Sequence, residues 1–243
     1  MPSVLEPVAN AMAYPRDIWA HVKGKAVRTV VFDLDGTLAD TSEDLLAAAN
    51  ACFAGLGLGE PLGAADTLTA FAGGRAMLRL GFQRLGVAGD VDGQYPVLLA
   101  HYAEGLDRAT RLYPGAVEAV ESLRAAGFAT AICTNKPEGL AEELMRRLGV
   151  RGLFGALVGA DTFPVRKPDP LPYRESVLRA GGDPRRSLLV GDTVTDRDTA
   201  RAAGVPVVLV SFGPEGAGVA RLAPDALLDR YADLPGLAAR LVL

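Results

Sequence analysis

Cysteine is nearly absent: the 243 residues contain two, Cys52 and Cys133. Two thiols make no disulfide framework, and Cys133, inside an apolar strand-like stretch, reads as a buried thiol. Long hydrophobic runs are missing too. Nothing approaches about 18 consecutive apolar residues, so no membrane partner is expected. Runs of lysine and arginine are also lacking, and 25 basic residues face 29 acidic ones for a formal net charge of −4. That balance argues against nucleic acid or an anionic membrane surface as partner. It leaves room for a small anionic substrate, because a few local cations and a metal override the global sign. Histidine is equally scarce: His21 and His101 are isolated and read as surface or helix-face residues. Residues 1–25 contain Pro2, Pro7 and Pro15 without a continuous apolar core. They do not read as a secretory signal, and the expectation is an N-terminal extension on a cytoplasmic protein. Trp19, Met77 and Met145 read as packing residues.

What is present is enough to build a core. Hydrophobic residues make up 49% and charged residues 22%, the composition of an ordinary globular chain. The length suits one large domain or a core with a small insert. The most informative string is Val30-Val31-Phe32-Asp33-Leu34-Asp35-Gly36-Thr37-Leu38. A short apolar strand ends at two carboxylates two positions apart, and Gly36 then permits a sharp turn. Carboxylates two apart share a face only while the strand stays regular. A turn at Gly36 separates them, so that one meets a metal and a phosphorus atom while the other handles protons, as covalent transfer through an aspartate requires. Taken alone, acids and glycine after a strand are also ordinary turn chemistry.

The chain is organised around that string. Ser42 to Leu58 is rich in alanine and leucine and reads as a helix, with Asp40, Thr41 or Ser42 as its cap and Glu43 and Asp44 in its first turn. Two further helices are expected at about Arg75–Leu85 and Gln94–Arg108, with no strand between them. Residues 41–109 therefore read as an all-helical insert. From Leu112 onward helix and strand alternate. Helices are expected at 114–126, 138–148, 171–180 and 196–203, and strands at 128–133, 156–160, 187–190 and 207–210. This rhythm predicts an α/β fold with a doubly wound parallel sheet, built from residues 26–40 and 110–243. In such sheets ligands sit beyond the carboxyl ends of the strands.

Three more strings fall at that edge. Thr134-Asn135-Lys136-Pro137 offers a hydroxyl and helix-start amides, a natural phosphate cradle, although Asn135 could equally be a helix cap. Arg166-Lys167-Pro168-Asp169-Pro170 holds a lysine just ahead of two stiffening prolines, where a fixed ammonium would balance clustered carboxylates and a phosphate. In Gly191-Asp192-Thr193-Val194-Thr195-Asp196 an apolar strand again ends in glycine and an acid, with a second acid four residues on. Such acids suit magnesium, a hard cation that takes oxygen ligands. They also suit a capped helix, with Asp192 or Thr195 at its N-terminus and Asp198 merely exposed.

Together, Asp-x-Asp-Gly-Thr, the Thr134 string, Lys-Pro-x-Pro and Gly-Asp-x-x-x-Asp resemble the four ordered motifs of the haloacid dehalogenase-like superfamily. The resemblance spans residues 33 to 196. It implies a Rossmann-like core with a helical C1-type cap after the first motif. Asp33 is then the nucleophile and Asp35 the general acid and base. Thr134, Asn135 and Lys167 hold the phosphoryl group, with Lys167 favoured over Arg166. Asp33, Asp35 through its carbonyl, Asp192 and, directly or through water, Asp196 hold Mg2+. Leu112-Tyr113-Pro114-Gly115 and Thr-Asn-Lys-Pro look like the bacterial phosphoglycolate phosphatase branch. That implies hydrolysis of a small phosphorylated metabolite by a monomer or homodimer. A phosphatase of another phosphoester or of pyrophosphate, a β-phosphoglucomutase-like mutase, and a non-catalytic phosphate-binding module are the alternatives. Within the cap, Phe71-Ala72-Gly73-Gly74-Arg75 is a glycine turn entering a helix, where Arg75 could grip a substrate carboxylate or stand as a plain surface arginine.

Overall fold

A computed structural model describes residues 27–242. The expected extension over residues 1–25, with Trp19 and His21, lies outside the described residues. Strand β1 (Thr29–Phe32) is buried along its whole length, as the centre of a parallel sheet requires. It lies between β4 (Ala129–Cys133) and β6 (Ser187–Gly191). The sheet is completed by β5 (Ala156–Val158) on one side and by β7 (Val207–Val210) and β8 (Ala226–Leu228) on the other. All pairings are parallel, in the order β5-β4-β1-β6-β7-β8.

Alternation along the strands assigns each side chain to one of two faces. Val30, Phe32, Leu188, Val190, Val208 and Val210 point to the same side. There they pack on α5 (Ala116–Ala125), α6 (Glu138–Arg147) and α9 (Leu234–Leu241) through Val120, Leu144, Met145 and Leu234. Val31, Cys133, Leu189 and Leu209 point the other way, onto Tyr173 and Val177 of α7 (Pro170–Arg179) and Ala200 of α8 (Val194–Ala203). Cys133 is thus the buried thiol its surroundings suggest.

Between β1 and α5 the chain leaves the sheet. Helices α1 (Ser42–Gly55), α2 (Thr67–Phe71), α3 (Gly74–Leu85) and α4 (Val91–Glu104) form the excursion. Exit and return are tied side by side by two short antiparallel strands, β2 (Ala39–Asp40) and β3 (Arg111–Leu112). Buried Asp44 on α1 reinforces the tie. Its carboxylate accepts from the Ala109 N–H at 3.0 and 3.1 Å, the Thr110 N–H at 2.8 Å and the Thr110 hydroxyl at 2.7 Å. Phe53 of α1 and Phe82 of α3 meet edge to face at 5.1 Å, and Met77 is fully buried among these helices.

Element types agree with the sequence reading while several limits move. Helix α1 stops at Gly55 instead of Leu58, and Gly57 turns the chain at φ +73°. Thr41 takes the cap position without a side-chain bond, and Asp40 before it accepts from the Ser42 N–H at 3.0 Å and the Ser42 hydroxyl at 2.6 Å. Helix α4 starts at Val91, not Gln94, because the Asp90 side chain accepts from the Gly93 N–H. The two-strand tie, β8 and α9 are further elements that the sequence reading did not anticipate.

Candidate active site

The carboxyl ends of β1, β4 and β6, together with the loop before α7, carry the four strings. Asp33 follows β1 directly, and its N–H donates to the Val190 carbonyl at 2.9 Å, which fixes it against β6. One of its carboxylate oxygens, Oδ1, accepts from the Leu34 N–H at 2.7 Å and lies 3.1 Å from Lys167 Nζ. No side-chain hydrogen bond to Oδ2 occurs among the described residues, and Asp33 lines the cleft described below. Gly36 turns the chain at φ +79°, and a Cβ there would stand 2.4 Å from Asp192 Oδ2. Only glycine lets the first turn and the Asp192 carboxylate come this close. Thr37, fully buried, then donates its hydroxyl to Asp192 Oδ1 at 2.9 Å. Its carbonyl accepts from the Tyr231 hydroxyl at 2.7 Å.

Asp33, Asp192 and Asp196 each bring a carboxylate oxygen within 4.8 Å of the others. Asp196 sits in the first turn of α8. Its Oδ2 accepts from the Thr193 N–H at 3.1 Å and the Thr193 hydroxyl at 2.7 Å, so Thr193, not Asp192 or Thr195, occupies the cap position. Its Oδ1 takes the Lys167 ammonium at 2.6 Å. Burial raises the proton affinity of Asp33, Lys167 opposes it, and Asp196 and Asp35 add to it, leaving a pKa of about 6. Burial, then Asp196 and Asp33, hold Asp192 well above the usual carboxylate range. Lys167 too is held above its ordinary range. Burial alone would weaken its hold on the proton, yet Asp196 and Asp33 outweigh that and keep it charged. Three clustered carboxylates, once ionised, leave an excess of negative charge against one ammonium. A hard divalent cation would balance it with oxygen ligands, so the donor set fits such an ion.

Thr134 and Asn135 lie at the end of β4. The Thr134 hydroxyl accepts from the Lys136 N–H at 3.1 Å, which leaves its own proton to give to an incoming oxygen. Asn135 donates its side-chain amide to the Lys167 carbonyl at 3.0 Å and so fastens the lysine loop to the end of β4. Asp35 faces away from the three clustered acids. Its carboxylate takes the Thr41 hydroxyl at 2.7 Å and the Lys136 ammonium at 2.8 and 3.0 Å. The sequence reading gave Lys136 no role. It is in fact buried, and its ammonium lies 4.3 Å from the centre of the Tyr102 ring on α4. Burial works against that charge, and Asp35 more than compensates.

A cleft of about 680 Å³ separates this edge from the helical excursion, and it is lined by Asp33, Asp35, Thr134, Lys167 and Asp192 on one side and Arg75 and Tyr102 on the other. That is the size of a small-molecule site. Arg75 faces the cleft already engaged: its Nε donates to Asp92 at 2.8 Å, and the guanidinium stacks 3.8 Å from the Tyr95 ring centre. His101 is half-exposed on α4, 4.0 Å from Glu104, away from this chemistry. Asp198, expected to be exposed, is part-covered and paired with Arg197 at 2.7 Å. No helix among the described residues is long and apolar enough to cross a membrane.

Comparison with known proteins agrees with this geometry. The family description of haloacid dehalogenase-like hydrolases matches residues 30–210. The phosphoglycolate phosphatase of Mesorhizobium japonicum is 41% identical over 205 residues, 83% of this chain and 90% of its own. That of Agrobacterium fabrum is 38% identical over 218 residues, 87% and 93% of the two chains. The crystal structure of a predicted phosphoglycolate phosphatase from Haemophilus somnus superposes with a TM-score of 0.77 at 26% identity, covering 87% of this chain and 97% of that one. The chain therefore belongs to the haloacid dehalogenase-like hydrolases, and within them to the phosphatases resembling phosphoglycolate phosphatase.

Proposed function

We propose that the chain hydrolyses 2-phosphoglycolate to glycolate and inorganic phosphate, using Mg2+ and an aspartyl-phosphate intermediate. One observation carries the mechanism. Asp33 has one carboxylate oxygen engaged by Leu34 and Lys167, and it lines the same cleft as Thr134, Lys167 and Asp192.

The free Asp33 oxygen attacks phosphorus in line, and the bond from phosphorus to the ester oxygen breaks. Asp35 gives its proton to that departing oxygen, so glycolate leaves as the alcohol. Water then attacks the phosphorus of the aspartyl-phosphate and passes a proton to Asp35. The acyl-phosphate bond breaks, phosphate is released and both acids are restored. Thr134, neighbouring amides and Lys167 stabilise charge on the transferring oxygens. Asp33, Asp192, the Asp35 carbonyl and, directly or through water, Asp196 would hold Mg2+, which when bound offsets the repulsion between carboxylate and phosphate. Residues 41–109 act as a cap that excludes water over a core of residues 26–40 and 110–243. A cytoplasmic location accords with this reading, since the substrate is a small intracellular-type metabolite.

Phosphate release from 2-phosphoglycolate, with Mg2+ and with chelator, tests the reading beside glucose 1-phosphate, pyrophosphate and a nucleoside monophosphate. A strong preference for phosphoglycolate that chelator abolishes is expected. Equal rates across the panel would overturn the substrate, and full activity in chelator would overturn the metal.

A further inference from the structure

The mechanism just given leaves one buried cation on the wall of the cleft unused. Lys136 reaches both oxygens of Asp35, at 2.8 and 3.0 Å, and makes no other side-chain hydrogen bond among the described residues. Its ammonium lies over the ring of Tyr102, which comes from α4 on the opposite side of the cleft. The Tyr102 hydroxyl is itself buried, with the Lys136 ammonium as its polar neighbour and no acceptor for its own proton among the described residues. Buried hydroxyls in native proteins almost always satisfy their donor, so one without an acceptor on a cleft wall points to a ligand atom that accepts its proton.

We propose that Lys136 and Tyr102 together bind a carboxylate on the leaving group, and so select phosphorylated short hydroxy acids. The inference rests on the phosphatase reading above and names which residues make its substrate choice. The argument is one of reach. Asp35 must stand within hydrogen-bond distance of the ester oxygen to protonate it. In 2-phosphoglycolate one methylene separates that oxygen from the carboxylate, so the carboxylate oxygens lie about 3–4 Å from it. Whatever binds the carboxylate is therefore a neighbour of Asp35, and Lys136 is in contact with it.

The other cations of the cleft serve less well. Lys167 is committed to Asp33 and Asp196. Arg75 is committed to Asp92 and the face of Tyr95. Arg79 and Arg166 line the cleft as exposed groups, and a solvated charge discriminates less than a desolvated one. An ammonium has three N–H donors. Two of those on Lys136 serve Asp35, and the third, which lies beside Tyr102, turns to the substrate and holds the ester oxygen against Asp35. The Tyr102 hydroxyl supplies the second donor. A leaving group that ends in a neutral alcohol leaves this cationic site without its countercharge, and sites built on buried polar groups reject such analogues strongly.

The test measures kcat/KM on 2-phosphoglycolate and on 2-hydroxyethyl phosphate, which keeps the length but removes the charge. It compares wild type, Lys136→Met and Tyr102→Phe, each checked for folding by circular dichroism. The wild type should prefer phosphoglycolate. The selectivity ratio should fall roughly 10- to 100-fold in Lys136→Met, as expected for a charge-assisted hydrogen bond. It should fall roughly 3- to 10-fold in Tyr102→Phe. Inhibition by glycolate should weaken in step. Ratios within twofold of wild type in both variants, or parallel losses on both substrates, would overturn the proposal and leave Lys136 a partner of Asp35 alone. A wild type without preference would instead overturn the substrate reading on which it stands. If Lys136→Met does not fold, Tyr102→Phe decides by itself, because it removes only the hydroxyl and keeps the ring.

Discussion

Replacing Thr37 by valine probes the acidic cluster with the least change of shape. The side chain is fully buried, and valine keeps its volume and its branching at Cβ. What disappears is the donor to Asp192 Oδ1 at 2.9 Å. A hydrogen bond to a charged group contributes about 1.5–3 kcal/mol, and here the carboxylate is left facing a methyl group. With Mg2+ bound, which would keep Asp192 ionised, Thr37→Val should therefore lose about 1.5–3 kcal/mol of folding stability at neutral pH, measured by urea unfolding in saturating Mg2+. Tyr231→Phe is the matched control. It removes a neutral bond to the Thr37 carbonyl, at 2.7 Å, and should cost only about 0.5–1.5 kcal/mol. Isothermal titration with Mg2+ gives the second reading. Loss of an outer partner of a metal ligand weakens metal affinity by about 10- to 100-fold, and the same is expected here. Stability within about 0.5 kcal/mol of wild type together with unchanged Mg2+ affinity would refute the claim that Thr37 positions Asp192.

Asp33→Asn should fold normally and lose phosphate release by at least about 1,000-fold. Near-wild-type turnover in that variant would remove Asp33 as nucleophile. Asp44→Ala takes the acceptor from three buried donors at the return point of the excursion. It should lower unfolding free energy by about 2–4 kcal/mol, read from the urea midpoint at constant m-value. A loss below about 1 kcal/mol would mean that the paired strands hold the crossing without it.

The residues of the site that were legible in the sequence share one property. Asp33, Thr134 and Asp192 each sit where an apolar run stops, and the end of a parallel strand is where a doubly wound sheet places its ligands. Position along the chain was therefore nearly position in space. Lys167 followed because the prolines just after it marked a fixed loop. Lys136 stood in view inside the Thr134 string and was passed over, since a loop lysine ordinarily reads as a solvated charge. Its burial depends on Asp35, 101 positions earlier, and on a tyrosine of the helical excursion, and no local pattern reports that meeting. The reverse holds for Arg75, which looked free in the sequence and is held by Asp92, 17 positions later. Strands of two or three residues, such as β2, β3 and β8, are too short to show a period.

The two lysines resolve a problem posed by the Asp-x-Asp string itself. Two carboxylates two residues apart repel and, in a regular strand, share a face. A site that needs one as nucleophile and the other as proton carrier must keep their surroundings distinct. Strand β1 ends at Phe32, and the turn at Gly36 lets the two side chains diverge. Lys167 then binds Asp33 together with Asp196, while Lys136 binds Asp35 alone. The first pairing ties the proposed nucleophile to the acids suited to a cation. The second ties the proposed proton carrier to the side of the cleft formed by α4. Exchanging either lysine for a neutral residue should therefore damage different steps. Loss of Lys167 should affect the attack on phosphorus for every substrate, whereas loss of Lys136 should fall most heavily on substrates whose leaving group carries a charge. The separation of roles thus lies less in the aspartates, which are chemically alike, than in the ammonium each one meets.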